Sequence, residues 1–181
     1  MNTVEPIRKK SDLTKIKLLL KEQSQRNLLL FLLGINTGLR ISDILSLRVS
    51  DVLNKDYIGI VEKKTKKYRK IVLSNSLKLK LKNYTQKKPL TDYLFKSRKG
   101  INQPITRIQA YRIIQNACQV VEIKENFGTH TLRKTFGYHF YKKTKDIALL
   151  QNILNHSSPK ITLRYIGLTQ DLIDKSLLNF S

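Results

Sequence analysis

The chain has 181 residues, enough for one domain with a real core and too few for two large ones. Its 35 Lys and Arg against 13 acidic residues leave a net charge of +22, which repels itself in the compact state and points to a polyanionic partner. On charge alone that partner is a nucleic acid, with a ribosomal or other RNA-binding role left open. The single cysteine, Cys118, excludes an intramolecular disulfide and a cysteine-cluster metal site. The apolar run 28–35 is too short to span a bilayer and no signal-peptide pattern is visible, so a soluble, cytoplasmic protein without a membrane partner is expected.

Residues 1–10 read as a loose basic arm. Leu13, Ile16 and Leu20 at helical spacing predict a helix over 11–21, with Ser11 or Asp12 able to cap it. A second helix over 25–36 is apolar on nearly every side from Leu28 to Leu33 and should be the central core helix. Gly38 breaks it, and Ser42 can cap a short helix ending near Leu47. Arg40 then sits at the rim of the most rigid element, where a phosphate clamp would belong. Residues 57–62 and 68–73 alternate like strands and pair as a hairpin whose tip is Lys63, Lys64, Thr65, Lys66 and Lys67. In most proteins such a tip is only a solvated turn that discourages aggregation.

A helix capped around Ser74 runs to about Tyr84, residues 93–95 make a short third strand or an extended segment, and the basic stretch 96–103 suits phosphate contacts. Ile108, Tyr111, Ile114, Ala117, Cys118 and Val121 form one apolar stripe of a helix over 106–121. The next helix begins near Thr129, with Phe136, Phe140 and Tyr141 on its buried rear face. His130 and Arg133, three residues apart, share its other edge and can reach one anion together. Residues 146–154 form a helix with Ile147, Leu150 and Leu154 inward, and Ser158 and Pro159 start the one that delivers Tyr165. Thr169 or Asp171 opens a last amphipathic helix with Leu172, Ile173, Leu177 and Leu178.

A phenol can attack phosphorus, and a phosphate under attack needs cations and hydrogen-bond donors around its non-bridging oxygens. Thr129, His130, Thr131, Leu132 and Arg133, then Leu154, Asn155 and His156, then Tyr165 supply those parts in order. This pattern resembles the tyrosine recombinase (phage integrase) family at its His-x-Leu-Arg box, its Leu-Gly-His box and its downstream Tyr. Gly38, Leu39 and Arg40, with an acid three residues later at Asp43, match the family's first box. The second box departs from the pattern, Asn155 standing where the family has Gly; Asn is the next best residue for ending a helix in the left-handed conformation.

The resemblance implies an α+β, mainly α-helical fold, the tyrosine recombinase catalytic domain with a small antiparallel hairpin or three-stranded sheet, spanning 1–181 as a single domain. It further implies that Tyr165 attacks the scissile phosphate to form a 3′-phosphotyrosyl link while Arg40 and Arg133 hold the non-bridging oxygens and His156 donates a further hydrogen bond. The hairpin would enter the minor groove, with Lys64 protonating the departing 5′-oxygen and Lys66 as the runner-up. His130 would help remove the phenol proton, and Asp43 would either orient Arg40 or cap the short helix. Lys63, Lys66, Lys67 and Arg69 are expected DNA contacts. No metal and no cofactor is called for.

The same resemblance implies strand exchange on double-stranded DNA, with integration, excision or inversion as the outcome. The protein would be a monomer when free and a tetramer on two DNA sites, the helix in 169–181 docking into a neighbour or folding back onto its own core. No separate N-terminal core-binding domain of the kind most members carry is expected, so the chain reads as a fragment or as a short recombinase similar to the invertases that flip fimbrial promoters. A type IB topoisomerase uses the same groups and would relax supercoils as a monomer. A non-catalytic basic DNA-binding module would form no covalent adduct.

Overall fold

Helix α2 (Gln25–Thr37) is the element the others pack around. Ser24 starts it by accepting a hydrogen bond from the Asn27 amide, Gly38 ends it at φ 61°, and every side chain from Leu28 to Leu33 is buried. The computed structural model describes residues 4–168 and Leu178. Helix α1 (Lys10–Gln23) covers one side of α2 with Leu13, Ile16 and Leu20, and α6 (Thr129–Thr144) covers the other. The approach of α2 to α6 is set by Gly34, where any Cβ would collide with the Leu132 side chain.

Three local expectations are not met. The N-cap of α1 is Lys9, without a side-chain cap bond, so Ser11 and Asp12 lie inside its first turn. The segment before it is docked rather than loose: Ile7 is buried, its amide donates to Thr135 Oγ1 at 2.9 Å and its carbonyl accepts from His139 Nε2 at 2.9 Å. Burying one Ile side chain is worth about 1.5–3 kcal/mol, enough to order so short a segment. Arg40 holds the N-cap position of helix α3 (Ile41–Ile44) without a side-chain cap bond, so Ser42 is within the helix rather than before it.

Strands β1 (Tyr57–Val61) and β2 (Tyr68–Val72) pair antiparallel, Tyr57 opposite Val72 and Val61 opposite Tyr68. Among the described residues this sheet has two strands. Residues 93–95 are the extended segment instead of a third strand: Tyr93 bridges to Arg48, the Leu94 amide donates to the Leu47 carbonyl, and Leu94 and Phe95 are buried. Helix α4 (Asn75–Thr85) is capped by the Ser74 hydroxyl. Helix α5 (Arg107–Val120) buries Ala110, Ile114, Ala117 and Cys118, whereas Ile108 and Tyr111 of the expected stripe are exposed.

The buried face of α6 is Leu132, Thr135 and Tyr138; Phe136, Phe140 and Tyr141 are only half-buried. They join a second, smaller core with α7 (Ile147–Leu154) and α8 (Pro159–Tyr165), centred on Leu150, Leu154 and Ile166. Asp146 caps α7, and Ser158 with Pro159 starts α8. The amphipathic helix expected within 169–181 lies outside the described residues, Leu178 apart. No helix among the described residues is long and apolar enough to cross a membrane.

Candidate active site

Arg133 is the keystone of the site, because its guanidinium joins the ends of two helices. It is buried, and it donates to the Gly38 carbonyl at the end of α2 and to the Leu154 carbonyl, the last residue of α7, at 2.7 Å. Helix C-termini carry unsatisfied carbonyls and a negative dipole end, so both partners favour a cation. Burial is the first cause that pulls the Arg133 pKa down, to about 10, with the phenol of Tyr165 acting upward and Arg40 and Arg69 downward. It therefore stays charged at neutral pH.

Arg40, at the start of α3, is held from the hairpin side. Its Nη1 lies 2.6 Å from Glu62 Oε2, and the same carboxylate takes the Thr65 hydroxyl at 2.8 Å and Arg69 Nη1 at 3.3 Å. Burial alone would raise the pKa of Glu62, but the hydrogen bonds from Thr65 and Arg40 and the charges of Arg40 and Arg133 outweigh it and hold it low. Arg69 also donates to the Thr37 carbonyl at 2.9 Å, and only 17% of its side chain is exposed. Arg69, expected as a DNA contact, braces the hairpin by bonding Glu62 and the end of α2. Asp43, expected to orient Arg40 or to cap α3, accepts the Lys63 amide with one carboxylate oxygen at 2.9 Å, which ties the hairpin to α3.

Glu62 is the functional-site residue that sequence reasoning missed. Its signal was present, because it is the lone acid among the cations of 57–73, on the inward phase set by Ile58 and Ile60.

Tyr165, on α8, reaches the same place. Its ring meets the His156 ring edge-on with centroids 4.9 Å apart, and Lys134 lies over it at 5.4 Å. Burial raises its pKa above the ordinary phenol value, while Arg133 and Arg40 pull against that rise. His156 follows Asn155, which ends α7 at φ 49° in the left-handed conformation expected of it. Thr162 Oγ1 lies 3.2 Å from His156 Nδ1 and fixes the ring. Burial, then Arg133 and Arg40, push the His156 pKa down to about 4.

His130 is exposed at the start of α6; partial desolvation first, then Arg133, Lys134, Lys64 and Arg40, hold its pKa below the ordinary imidazole value. Both imidazoles are thus neutral at pH 7. Lys63, Lys64, Lys66 and Lys67 are exposed on the hairpin tip. Of these, Lys64 is close enough for its charge to act on His130, Lys66 occupies the left-handed turn position at φ 58°, and Lys67 Nζ bonds Asn155 Oδ1 at 3.1 Å.

Arg40, Lys64, His130, Arg133, His156 and Tyr165 therefore meet in one site, from five separate elements. Residues 9–171 match the model of the phage integrase family. The chain belongs to the phage integrase family. A similar relative in this family is the probable integrase/recombinase YoeC of Bacillus subtilis (strain 168), 53% identical over 94% of this chain and 93% of that protein. A tyrosine recombinase of Pseudothermotoga lettingae is 34% identical over 86% of this chain, and the chain spans 55% of that protein's length. Among solved structures, the XerH site-specific recombinase bound to difH substrate in a pre-cleavage complex superposes with a TM-score of 0.73 at 24% identity. That likeness covers 91% of this chain and 51% of XerH, and it gives this phage integrase family member the recombinase catalytic fold.

Proposed function

We propose that this domain cuts and rejoins double-stranded DNA at specific sites through a covalent 3′-phosphotyrosyl link on Tyr165. The observation that carries the reading is the meeting of a half-buried phenol with two guanidiniums and a neutral imidazole in one site. The scissile phosphate lies between Arg40 and Arg133, which neutralise the charge that builds on its non-bridging oxygens. His156 adds a hydrogen bond to the same group.

Tyr165 Oη forms a bond to phosphorus as the bond from phosphorus to the 5′-oxygen breaks. The raised pKa of the phenol makes it a poor nucleophile at neutral pH, so its proton must leave as the bond forms. His130 takes that proton, and the cations around it keep its ring in the neutral, accepting form. Lys64 gives a proton to the departing 5′-oxygen, with Lys66 on the same tip as the runner-up. The 5′-hydroxyl of a second strand reverses these steps and exchanges partners. Lys63, Lys66 and Lys67 contact the DNA backbone, so affinity falls steeply with salt.

Exchange joins two sites, so a tetramer assembles from free monomers on the two duplexes. The cytoplasm, where cellular DNA is accessible, is the site of action. The recombinase names of the relatives favour this reading over supercoil relaxation by a topoisomerase-like enzyme. The test is a nicked duplex carrying a candidate site from the DNA flanking the gene, incubated with the protein and run on a denaturing gel. A protein–DNA adduct is expected, and Tyr165→Phe abolishes it while binding persists. An adduct of equal yield with Tyr165→Phe would refute the reading.

A further inference from the structure

We propose that Asn155 is a positioning residue for Lys64: through Lys67, its side chain latches the hairpin tip onto the end of α7 and so holds the leaving-group acid over the site. The inference rests on the reading of Lys64 as that acid.

The hairpin is fixed firmly at the base of its tip, where Arg69 on β2 also bonds the Thr37 carbonyl. Glu62 is gripped by Arg40 and Arg69, and the Lys63 amide by Asp43. Beyond these anchors the loop closes on itself, the Lys66 amide donating to the Glu62 carbonyl at 2.9 Å and the Glu62 amide to the Lys67 carbonyl at 3.0 Å. Those bonds shape the tip without saying where it lies relative to α7 and α8. Four lysines stand within five consecutive residues there, and their mutual repulsion favours a splayed, solvated tip.

The hydrogen bond from Lys67 Nζ to Asn155 Oδ1 opposes that splaying. It spans 88 residues of sequence and joins the far side of the tip to the helical body. Its acceptor is well founded. Asn155 caps α7 at φ 49°, and the turn around it carries much of the site: the Leu154 carbonyl holds Arg133, the His156 amide donates to the Gln151 carbonyl at 3.1 Å, and Gln151 Nε2 donates back to the His156 carbonyl at 3.1 Å.

A Gly at position 155 would adopt the left-handed turn at lower cost. Asn accepts that cost and adds an amide oxygen facing the hairpin. The Lys67 ammonium has three protons, so it can bond Asn155 and a DNA phosphate together. A general acid must come within hydrogen-bond reach of the departing oxygen, and Lys64 lies three residues from the latched Lys67 on the same short loop.

Asn155→Gly is the informative variant, because it keeps the turn and removes only the amide. Adduct formation is followed on the nicked duplex and on a second duplex with sulfur in place of the 5′-bridging oxygen, whose thiolate leaves without a proton. Asn155→Gly is expected to cleave the oxygen substrate about tenfold more slowly, the equivalent of one charge-assisted hydrogen bond, and to match the unaltered protein on sulfur. At saturating protein, Lys64→Ala should show the same pattern with a larger loss, and Asn155→Asp, which keeps an acceptor, should restore the oxygen rate.

Full activity of Asn155→Gly on oxygen while Lys64→Ala is rescued by sulfur would overturn the latch and leave the acid standing. Equal losses on both substrates would overturn it too, since Asn155 would then act through the turn alone. If sulfur fails to rescue Lys64→Ala, the reading of Lys64 fails and the latch with it.

Discussion

Replacing Glu62 by Gln keeps the shape of the side chain and removes its charge, which isolates what the carboxylate does. In the native protein that carboxylate is 4% exposed and sits 2.6 Å from Arg40 and 3.3 Å from Arg69, with Arg133 close enough to influence it. Two effects compete. Burying the carboxylate costs desolvation energy, which Gln largely avoids; leaving two crowded guanidiniums without a counter-charge costs more, about 3–5 kcal/mol when a buried pair loses one partner. The Gln oxygen can still accept one hydrogen bond and Arg40 is 15% exposed, so we expect a net loss of about 2 kcal/mol. For a domain of this size that is roughly a 4–8 °C fall in Tm.

The pH dependence fixes the sign. The native pKa of Glu62 lies below its ordinary value of 4.5, so its contribution is complete above that value and is lost as pH falls through the native one. Thermal unfolding of both proteins from pH 8 downward should therefore show a constant gap to about pH 5 that closes below it. An unchanged or raised Tm for Glu62→Gln at pH 7 would mean that desolvation wins and the network is not a stabilising brace. A gap that widens on acidification would refute the assignment of the depressed pKa.

Gly34→Ala should destabilise the fold by about 1–3 kcal/mol in urea unfolding, because the new methyl meets Leu132 at its Cβ as well as its tip and α2 and α6 must part. His156 is neutral in the fold, its pKa pushed from 6.5 to about 4, so the unfolded chain takes up its proton first as pH falls. Its contribution is complete above pH 6.5 and is lost towards pH 4, on the order of 1–2 kcal/mol for a partly exposed ring; His156→Gln should flatten the stability curve in that window. Arg133→Lys keeps the charge but cannot reach the Gly38 and Leu154 carbonyls with one planar fork, so a loss of both stability and adduct yield is expected, by unfolding and by denaturing gel.

What the sequence made legible was local in character. Leu28 to Leu33 could only be a central helix, and Ser158 with Pro159 marks a helix start by its own chemistry. Asn155 could be assigned a left-handed φ because few residues other than Gly tolerate it. The misreadings share one cause, which is that tertiary partners decided them. The family's first box offered Asp43 as a partner of Arg40 or a cap of the short helix, yet the hairpin brings Glu62 to Arg40 across 22 residues and gives Asp43 the Lys63 amide. Arg69 looked like a DNA contact because it lies on a basic strand, but its inward phase carries it to Glu62 and the end of α2. The docked segment before α1 was illegible because one Ile among charges has no periodicity, and only Thr135 and His139 on α6 give it a place.

The same tertiary partners explain how the site tolerates its own charge. Arg40, Arg69 and Arg133 lie close enough for their charges to act on one another, with two buried carboxylates beside them: Glu62 in direct contact with Arg40 and Arg69, and Asp43 acting on Arg69 from α3. The remaining compensation comes from the backbone: the Thr37 and Gly38 carbonyls at the end of α2 and the Leu154 carbonyl at the end of α7. Carbonyls at helix ends stabilise a cation without neutralising it, so a positive surplus survives folding. In the proposed reaction a DNA phosphate supplies the missing charge beside Tyr165, whose deprotonation the same guanidiniums favour. Arg69 and Glu62 cancel each other and brace the hairpin, whereas Arg133 spends its hydrogen bonds on neutral partners and keeps its charge for the substrate. A carboxylate in place of either helix-end partner would neutralise Arg133 and weaken its grip on a phosphate, which is a physical reason for building the clamp on backbone.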